Sequence, residues 1–153
     1  AMIARVVPAA VRILPMSDQA EGFRGRSIED VQRGVFLRDL PAKQGRWRYR
    51  KAGLSADPGT LVLFQFKARV IASAVFLRDE PFERPVRGSA GALYFEPASF
   101  RTFEPVDVAG MRKAWPRFRG FGHVKQSLQP EGVCGVRQRV ERRQIRRAWT
   151  AEL

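Results

Sequence analysis

The strongest pattern of apolar positions in the chain lies at residues 59–76, GTLVLFQFKARVIASAVF. Two runs of apolar and β-branched residues flank a polar break, Lys67-Ala68-Arg69. Such a pattern is typical of two strands joined by a tight turn. We therefore predict a buried β-hairpin over residues 60–77, at the centre of a small sheet or barrel.

Shorter patterns on either side predict further elements. Ser27 begins an N-cap arrangement, so residues 27–34 are predicted to form a short helix that ends at Gly34. Asp107 is the expected cap of a second short helix over residues 107–115. Strands are expected at 3–14, at 34–40 before Pro41, at 92–95 and 97–106, and from residue 132; loops are expected at 41–59 and 78–91.

These elements together predict an α+β fold with about six strands and two or three short helices outside the sheet. The length of 153 residues fits one domain with a core of its own. We place that domain at residues 2–136 and a basic tail, predicted to be helical, at 137–153. Ala1, which precedes Met2, is interpreted as a tag remnant.

Positive charge is the feature of the composition that says most about function. Lysine and arginine total 28 against 15 aspartate and glutamate residues, which gives a net charge of +13. A field of that sign attracts polyanions, and nucleic acid is the commonest of them. A GC-rich genome would favour arginine over lysine, but it would not produce an excess of positive over negative charge. The composition therefore predicts a nucleic-acid-binding protein.

Residues that could carry catalysis or hold a metal are scarce. The chain has one cysteine, Cys134, and one histidine, His123, whereas the usual metal sites need several such ligands. It contains no glycine-rich phosphate loop and no nucleophile motif. The acidic residues Asp79, Glu80 and Glu83 fall in a predicted loop, where solvated charge is the ordinary interpretation. We expect no enzyme activity, no metal and no cofactor.

The same composition bears on location. Arg69 interrupts the longest apolar run, so no stretch reaches the length of a membrane span. A single cysteine allows no internal disulfide, which suits a reducing compartment. We expect a cytoplasmic protein without membrane partners.

Aromatic and basic residues alternate in the segment RWRYRK, residues 46–51. In an extended conformation, Trp47 and Tyr49 would face one side of this segment. The arginines would face the other side: Arg46, Arg48 and Arg50. Aromatic rings stack on bases and basic side chains hold phosphates, so this segment is a candidate nucleic-acid contact.

A second basic and aromatic segment is WPRFRGFGHVKQ, residues 115–126. Its aromatic residues are Trp115, Phe118 and Phe121, and its candidate phosphate contacts are Arg117, Arg119 and Lys125. The alternative is that the aromatic residues fill the core while the arginines reach solvent. The tail adds further candidate phosphate contacts, Arg139 and Arg143.

The order of GTLVLFQFKARVIASAVF, GALYFEPASFRTFEPV and WPRFRGFGHVKQSL resembles a known module over most of residues 35–130. That module stands at the N-terminus of a group of bacterial HNH-type endonucleases and is similar to the PUA superfamily, which includes EVE, ASCH, YTH and SRA domains. The resemblance implies a twisted, barrel-like sheet in which a groove receives a nucleotide, often one with a modified base. Any nuclease activity would then lie on another domain or chain.

The resemblance suggests a reading mechanism for duplex DNA with modified bases, as in a restriction or defence system. A modified base, a cytosine derivative in our hypothesis, would be flipped into a pocket walled by Trp47 and a second aromatic residue, for which Trp115 is the best candidate. Gln65, a polar residue in an apolar strand, could offer its carboxamide to the base edge, or it could pair with nearby backbone. An RNA-binding module and a basic protein-interaction domain are the alternatives.

Overall fold

The computed structural model describes residues 10–17, 22–51, 53–122, 126 and 128–133. Within these ranges lie six strands: β1 (Val11–Pro15), β2 (Arg46–Tyr49), β3 (Leu61–Phe66), β4 (Arg69–Val86), β5 (Ser89–Phe95) and β6 (Arg101–Val106). What we call the long helix consists of three consecutive segments: Ile28–Val31, the π-helical Gln32–Asp39, and Leu40–Ala42. What we call the short helix is Val108–Ala114. These elements confirm the predicted α+β class.

The strands form one mixed sheet in the order β1–β3–β4–β5–β2, with β6 beside β4. β1 and β3 are parallel, and the other pairs are antiparallel. β1 and β2 stand at the two ends of this order, so the sheet is open. Of the two forms predicted, a sheet or a barrel, the sheet is the one found.

β4 belongs to two parts of the sheet because it is 18 residues long. Its beginning pairs with β3 and β6, and its continuation pairs with β5. The pairing shifts between Phe76 and Arg78, where Leu77 is inserted. We call β1, β3, β6 and residues 69–75 the first half of the sheet, and β2, β5 and the rest of β4 the second half.

The predicted hairpin is confirmed and lies at the centre of the first half, with β1 on the other side of β3. Both faces of β3 are buried. Val62, Phe64 and Phe66 belong to one apolar cluster, which we call the inner cluster. Leu61 and Leu63 belong to another, the outer cluster. The apolar run is continuous because neither face of this strand meets water.

The inner cluster lies between the sheet and the long helix. The helix contributes four buried side chains to it: Val31, Val35, Phe36 and Leu40. Phe64 is fully buried, and its ring centre lies 4.8 Å from that of Phe36 and 5.2 Å from that of Phe95. The long helix and both halves of the sheet therefore share one core.

The long helix corrects two predictions. Residues 27–34 were expected to form a short helix ended by Gly34, and residues 34–40 a strand. The structure instead continues the helix through Gly34 and Pro41 to Ala42. Burial of the four apolar side chains outweighs the helical cost of glycine, about 1 kcal/mol, and the strand preference of valine and phenylalanine.

Both predicted helix caps are confirmed. The side-chain oxygen of Ser27 accepts a hydrogen bond from the backbone N–H of Asp30 at 3.1 Å. Asp107 accepts one from the backbone N–H of Gly110 at 2.9 Å. The short helix packs Met111 into the outer cluster.

Gln32 ties the long helix to the first half of the sheet. Its side-chain Nε2 donates to the carbonyl oxygens of Ile71 at 2.9 Å and Phe103 at 2.7 Å. The β4–β6 pairing shifts register at this point, between Val70 and Ala72. The amide therefore supplies hydrogen bonds where the pairing of the two strands is irregular.

Several predictions of strand and loop are wrong. Residues 46–49 were expected in a loop but form β2, and most of residues 78–91, also expected in a loop, lie in β4 and β5. Proline and charge suggested a loop in the second case, but among the described strands this part of β4 pairs with β5 alone, so both are tolerated. Pro97–Ser99 forms a 3₁₀ turn and not a strand. Gly132 and Val133 are helical and not extended.

Two predictions reach beyond what the structure describes. The strand expected at 3–14 is present as β1 from Val11, and its beginning lies outside the described residues. The tail at 137–153 lies outside them as well. Among the described residues, no helix combines the length and the apolarity that a membrane crossing requires.

The turn of the central hairpin leads to a prediction of stability. Lys67 and Ala68 both have left-handed backbone, with φ of 51° and 58°. This turn favours Asn-Gly, and left-handed backbone costs other residues about 1–2 kcal/mol each. Replacing Lys67-Ala68 with Asn-Gly is expected to raise the free energy of unfolding in urea by about 1 kcal/mol.

The single change Ala68→Gly is the control for this prediction. It keeps the hydrogen bond from Lys67 Nζ to the carbonyl oxygen of Arg26, at 3.0 Å, and should give part of the gain. Unchanged stability in both variants would contradict the expected strain.

Candidate nucleic-acid interface

The outer side of the second half of the sheet carries a row of basic residues. Arg46 on β2 lies opposite Tyr94 on β5, and Tyr94 lies opposite Arg78 on β4. Arg48 is in the next row, and the three arginines are exposed. We call Arg46, Arg48, Arg78 and Tyr94 the basic face. Arg50, just beyond β2, is exposed beside it.

Tyr94 and Arg78 are functional candidates that the sequence analysis missed. The Arg78 guanidinium carbon lies 4.0 Å from the centre of the Tyr94 ring, a cation–π contact. Arg78 Nη1 also pairs with Glu80 Oε2 at 2.9 Å. Strand alternation was the signal available, because Leu93 and Phe95 are buried on the inner side and Tyr94 between them must face outward.

Trp47 and Tyr49 share one side of β2, as predicted, but that side faces the inner cluster. Trp47 is half-buried, and its ring centre lies 5.5 Å from that of Phe23 in an edge-to-face contact. The Tyr49 hydroxyl donates to Asp79 Oδ1 at 2.7 Å. Both aromatic residues therefore hold β2 against the core, while Arg46 and Arg48 point outward.

Trp115 is a core residue, which corrects the predicted reading pocket. Its side chain is 5% exposed within the outer cluster, and its indole N–H donates to the carbonyl oxygen of Gln129 at 2.7 Å. Trp47 packs against the inner cluster, on the opposite face of the sheet. The two tryptophans therefore cannot wall one pocket, because the sheet lies between them.

The rest of the segment 115–126 follows the alternative in which aromatic residues fill the core. Phe118 is buried and Phe121 half-buried, with ring centres 5.2 Å apart. Arg117 and Arg119 are exposed. Phosphate contact by these two arginines stays a prediction. The remaining candidates Lys125, Arg139 and Arg143 lie outside the described residues.

Gln65 keeps an unused acceptor in the structure. Its neighbours across the sheet are Pro15 on β1 and Val70 on β4. Its side-chain Oε1 is buried without a hydrogen-bond partner among the described residues. An unpaired buried acceptor costs about 1–3 kcal/mol. Among the described residues, Oε1 does not make the pairing with backbone that the sequence analysis left open. Contact of Gln65 with a base edge stays a prediction.

Beyond the end of β2, β4 and β5 continue as a short two-stranded arm, which we define as residues 81–91 and whose pairing shifts between Pro81 and Val86. β2 stops pairing with β5 at Gly91, so none of the other described strands pairs with the arm beyond that residue. Residues 83–88 are all exposed, including Arg84 and Arg87. The tip turns through Arg87 and Gly88, whose φ values are 49° and 81°. The arm extends the second half of the sheet, where the basic face lies. Its two arginines add positive charge next to that face.

No protein-family model, no curated protein and no solved structure matches the chain. Within the described residues, no group of three or more histidine, cysteine or acidic side chains could hold a metal ion.

Tyr49 leads to a prediction of pH dependence. Burial, the hydrogen bond to Asp79 and the negative charge of that carboxylate raise the pKa of Tyr49 to about 12. Because an unfolded tyrosine titrates near 10, the neutral phenol stabilises the folded state below pH 10. This contribution is lost as pH rises from about 10 through 12.

An ultraviolet titration of phenolate formation, with circular dichroism to follow folding, measures this pKa. The parent protein is expected to show a step near pH 12 that Tyr49→Phe lacks. A step of Tyr49 at the value of free tyrosine, in protein that is still folded, would contradict the prediction.

Proposed function

We propose that this protein binds nucleic acid, duplex DNA in the first instance, through the basic face and the adjoining arm. The observation that carries the proposal is the row of Arg46, Tyr94 and Arg78, an aromatic ring between two exposed guanidinium groups. Flat rings stack on bases and arginines hold phosphates, and these are the two contacts that nucleic-acid-binding surfaces combine.

The spacing of the row fits an extended ligand. Arg46 and Arg78 stand two strands apart, which is roughly 10 Å in a sheet. A chain that crosses the row can place charged phosphates at both arginines and a base between them. Since the Arg78 guanidinium lies over the Tyr94 ring, the base can stack on the guanidinium plane itself.

The arm supports binding to a duplex in particular. A two-stranded β-ribbon is narrow enough to enter the major groove of B-DNA. The exposed tip carries Arg84 and Arg87 at the end of such a ribbon. We propose that the arm follows a groove while the basic face lies on the phosphates beside it.

Two predictions rest on the family resemblance alone. They are that the protein recognises a modified base and that it acts together with a nuclease domain or chain. The predicted pocket between Trp47 and Trp115 is no longer part of these predictions, because the two side chains pack in different apolar clusters. A flipped base would need another pocket, for which Gln65 remains a candidate contact through its unpaired oxygen.

Fluorescence anisotropy with a labelled duplex at several salt concentrations tests the proposal. Arg46→Gln with Arg48→Gln is expected to weaken binding at least about ten-fold at low salt. The slope of log affinity against log salt should fall by roughly 2, because two phosphate contacts are lost. The matched control, Arg112→Gln with Lys113→Gln, removes equal charge from the exposed side of the short helix and should change binding less.

Equal losses in the two double variants would overturn the proposed face and leave only general charge attraction. Undetectable binding of the parent protein at low salt would overturn nucleic-acid binding altogether. Single-stranded RNA and a duplex carrying a modified cytosine, measured in parallel, decide between the predicted ligands.

One observation favours a second candidate, a surface for an acidic protein. Trp115 and Phe118 are buried while the arginines around them are exposed, which is the arrangement such an interaction domain would have. An acidic peptide that binds as tightly as DNA at the same salt concentration, and loses affinity when Arg117 and Arg119 are both replaced by glutamine, would support this candidate.

A further inference from the structure

Two arginines approach each other over the middle of the long helix. An ideal Cβ placed on Gly34 would be 3.3 Å from Arg26 Nη1 and 3.6 Å from Arg38 Nη2. The two guanidinium nitrogens are therefore at most about 7 Å apart, with the bare backbone of Gly34 beneath them. The carboxylate of Asp39 forms an ion pair with Arg38 and balances part of this positive charge, which leaves Arg26 Nη1 and Arg38 Nη2 facing the space above Gly34.

Three separate segments build this arrangement. Arg26 comes from the loop before the helix, and Arg38 comes from the helix itself. The Arg38 Nε donates to Asp39 Oδ1 at 2.9 Å, which fixes the guanidinium while its Nη2 points towards Gly34. From the hairpin turn, Lys67 donates to the carbonyl oxygen of Arg26 at 3.0 Å and brings a third positive charge to the same segment.

Glycine at position 34 gives this site its room. A glycine inside a helix costs about 1 kcal/mol relative to alanine, so alanine would be the better helix former there. An alanine Cβ, however, would lie in contact with both guanidinium groups, and Arg26 would have to move by a few tenths of an ångström. The residue that weakens the helix is thus the one that leaves the space open.

We propose that Arg26 and Arg38 form a clamp for a phosphate group over Gly34. Phosphate oxygens accept charge-assisted hydrogen bonds of about 2.7–2.9 Å from guanidinium nitrogens, so one phosphate can bridge the gap. The ligand is a free or terminal phosphate, or a phosphate of a nucleic-acid backbone. The clamp is built by residues other than those of the basic face, and it stands whether or not that face binds DNA.

Arginine side-chain N–H resonances in NMR spectra test the clamp directly. Titration with inorganic phosphate at constant ionic strength is expected to shift the Arg26 and Arg38 resonances to saturation. The Arg112 resonance, on the short helix, should not saturate. Dimethyl phosphate in a parallel titration separates the sources, because it presents the diester of a nucleic-acid backbone and inorganic phosphate presents the free group.

Variants make the test specific. Arg26→Gln is expected to lower phosphate affinity about ten-fold, the loss that one charge-assisted hydrogen bond produces, whereas Arg112→Gln should leave it unchanged. Gly34→Glu would place a carboxylate between the guanidinium groups and should abolish phosphate binding. Gly34→Ala is the milder variant, because alanine favours the helix. We expect this variant to stay folded and to bind phosphate more weakly than the parent protein.

Shifts of Arg26 and Arg38 that do not saturate, or that match those of Arg112, would overturn the clamp. Undiminished phosphate affinity in folded Arg26→Gln protein would overturn it as well.

Discussion

Replacing Phe64 with alanine is expected to lower the free energy of unfolding by about 4 kcal/mol, because such changes in a core cost about 3–5 kcal/mol. Phe64 is fully buried, and its ring contacts the rings of Phe36, Phe95 and Phe100. These three come from the long helix, from β5 and from the turn before β6. The cavity left by alanine would thus open at the junction of three elements that cannot all move to fill it.

Urea denaturation followed by circular dichroism measures this loss. The control is Leu37→Ala, on the exposed side of the same helix, where the side chain is 52% exposed. That change should cost less than about 0.5 kcal/mol. A similar small cost for Phe64→Ala would contradict the described core.

Gly45→Ala is expected to destabilise the protein by about 3 kcal/mol, more than a change of backbone preference alone would produce. Gly45 connects the long helix to β2 and has a φ of 72°. A Cβ there would overlap the carbonyl oxygen of Phe95, which is backbone and cannot rotate away. The N–H of Phe95 also donates to the carbonyl oxygen of Gly45 at 2.9 Å, so relief of the overlap would break a strand contact.

Gly25→Ala is a closely matched control for this prediction. Gly25 has a φ of 71°, and nothing lies within 4 Å of the position its Cβ would take. The change should cost only the backbone preference, about 1 kcal/mol. Equal melting temperatures for the two variants would contradict the contact at Phe95.

The central hairpin could be predicted because it is determined locally. Its two apolar runs and the break between them are contiguous in sequence, and both faces are buried, so no partner had to be known. The helix caps at Ser27 and Asp107 could be predicted for the same reason, since each bond spans three residues.

The long helix could not be predicted from its own residues. Gly34 and Pro41 are strong signals for an end, and Val35 and Phe36 favour strands. The helix continues because its apolar side meets Phe64 and its neighbours, which come from distant parts of the chain. Contacts between residues so far apart in sequence cannot be predicted from a local pattern of residue types.

The candidate interface could be predicted only in part, because its side chains come together through the pairing of strands that are distant in sequence. Alternation in β2 correctly separated Arg46 and Arg48 from Trp47 and Tyr49, but alternation alone cannot say which side meets solvent. The outward aromatic residue, Tyr94, was overlooked because its partners across the sheet are supplied by β2 and β4. Charge was visible from composition, whereas its placement depended on strand pairing.

The insertion of Leu77 in β4 determines which side chain lies beside the Tyr94 ring. With the shift in pairing, Arg78 lies opposite Tyr94 and Asp79 lies opposite Leu93. In a strict one-to-one ladder after Phe76, Leu77 would lie opposite Tyr94 and Arg78 opposite Leu93, since successive residues face opposite sides. The row would then end in an apolar side chain, and Asp79 would face away from the Tyr49 hydroxyl that it now binds.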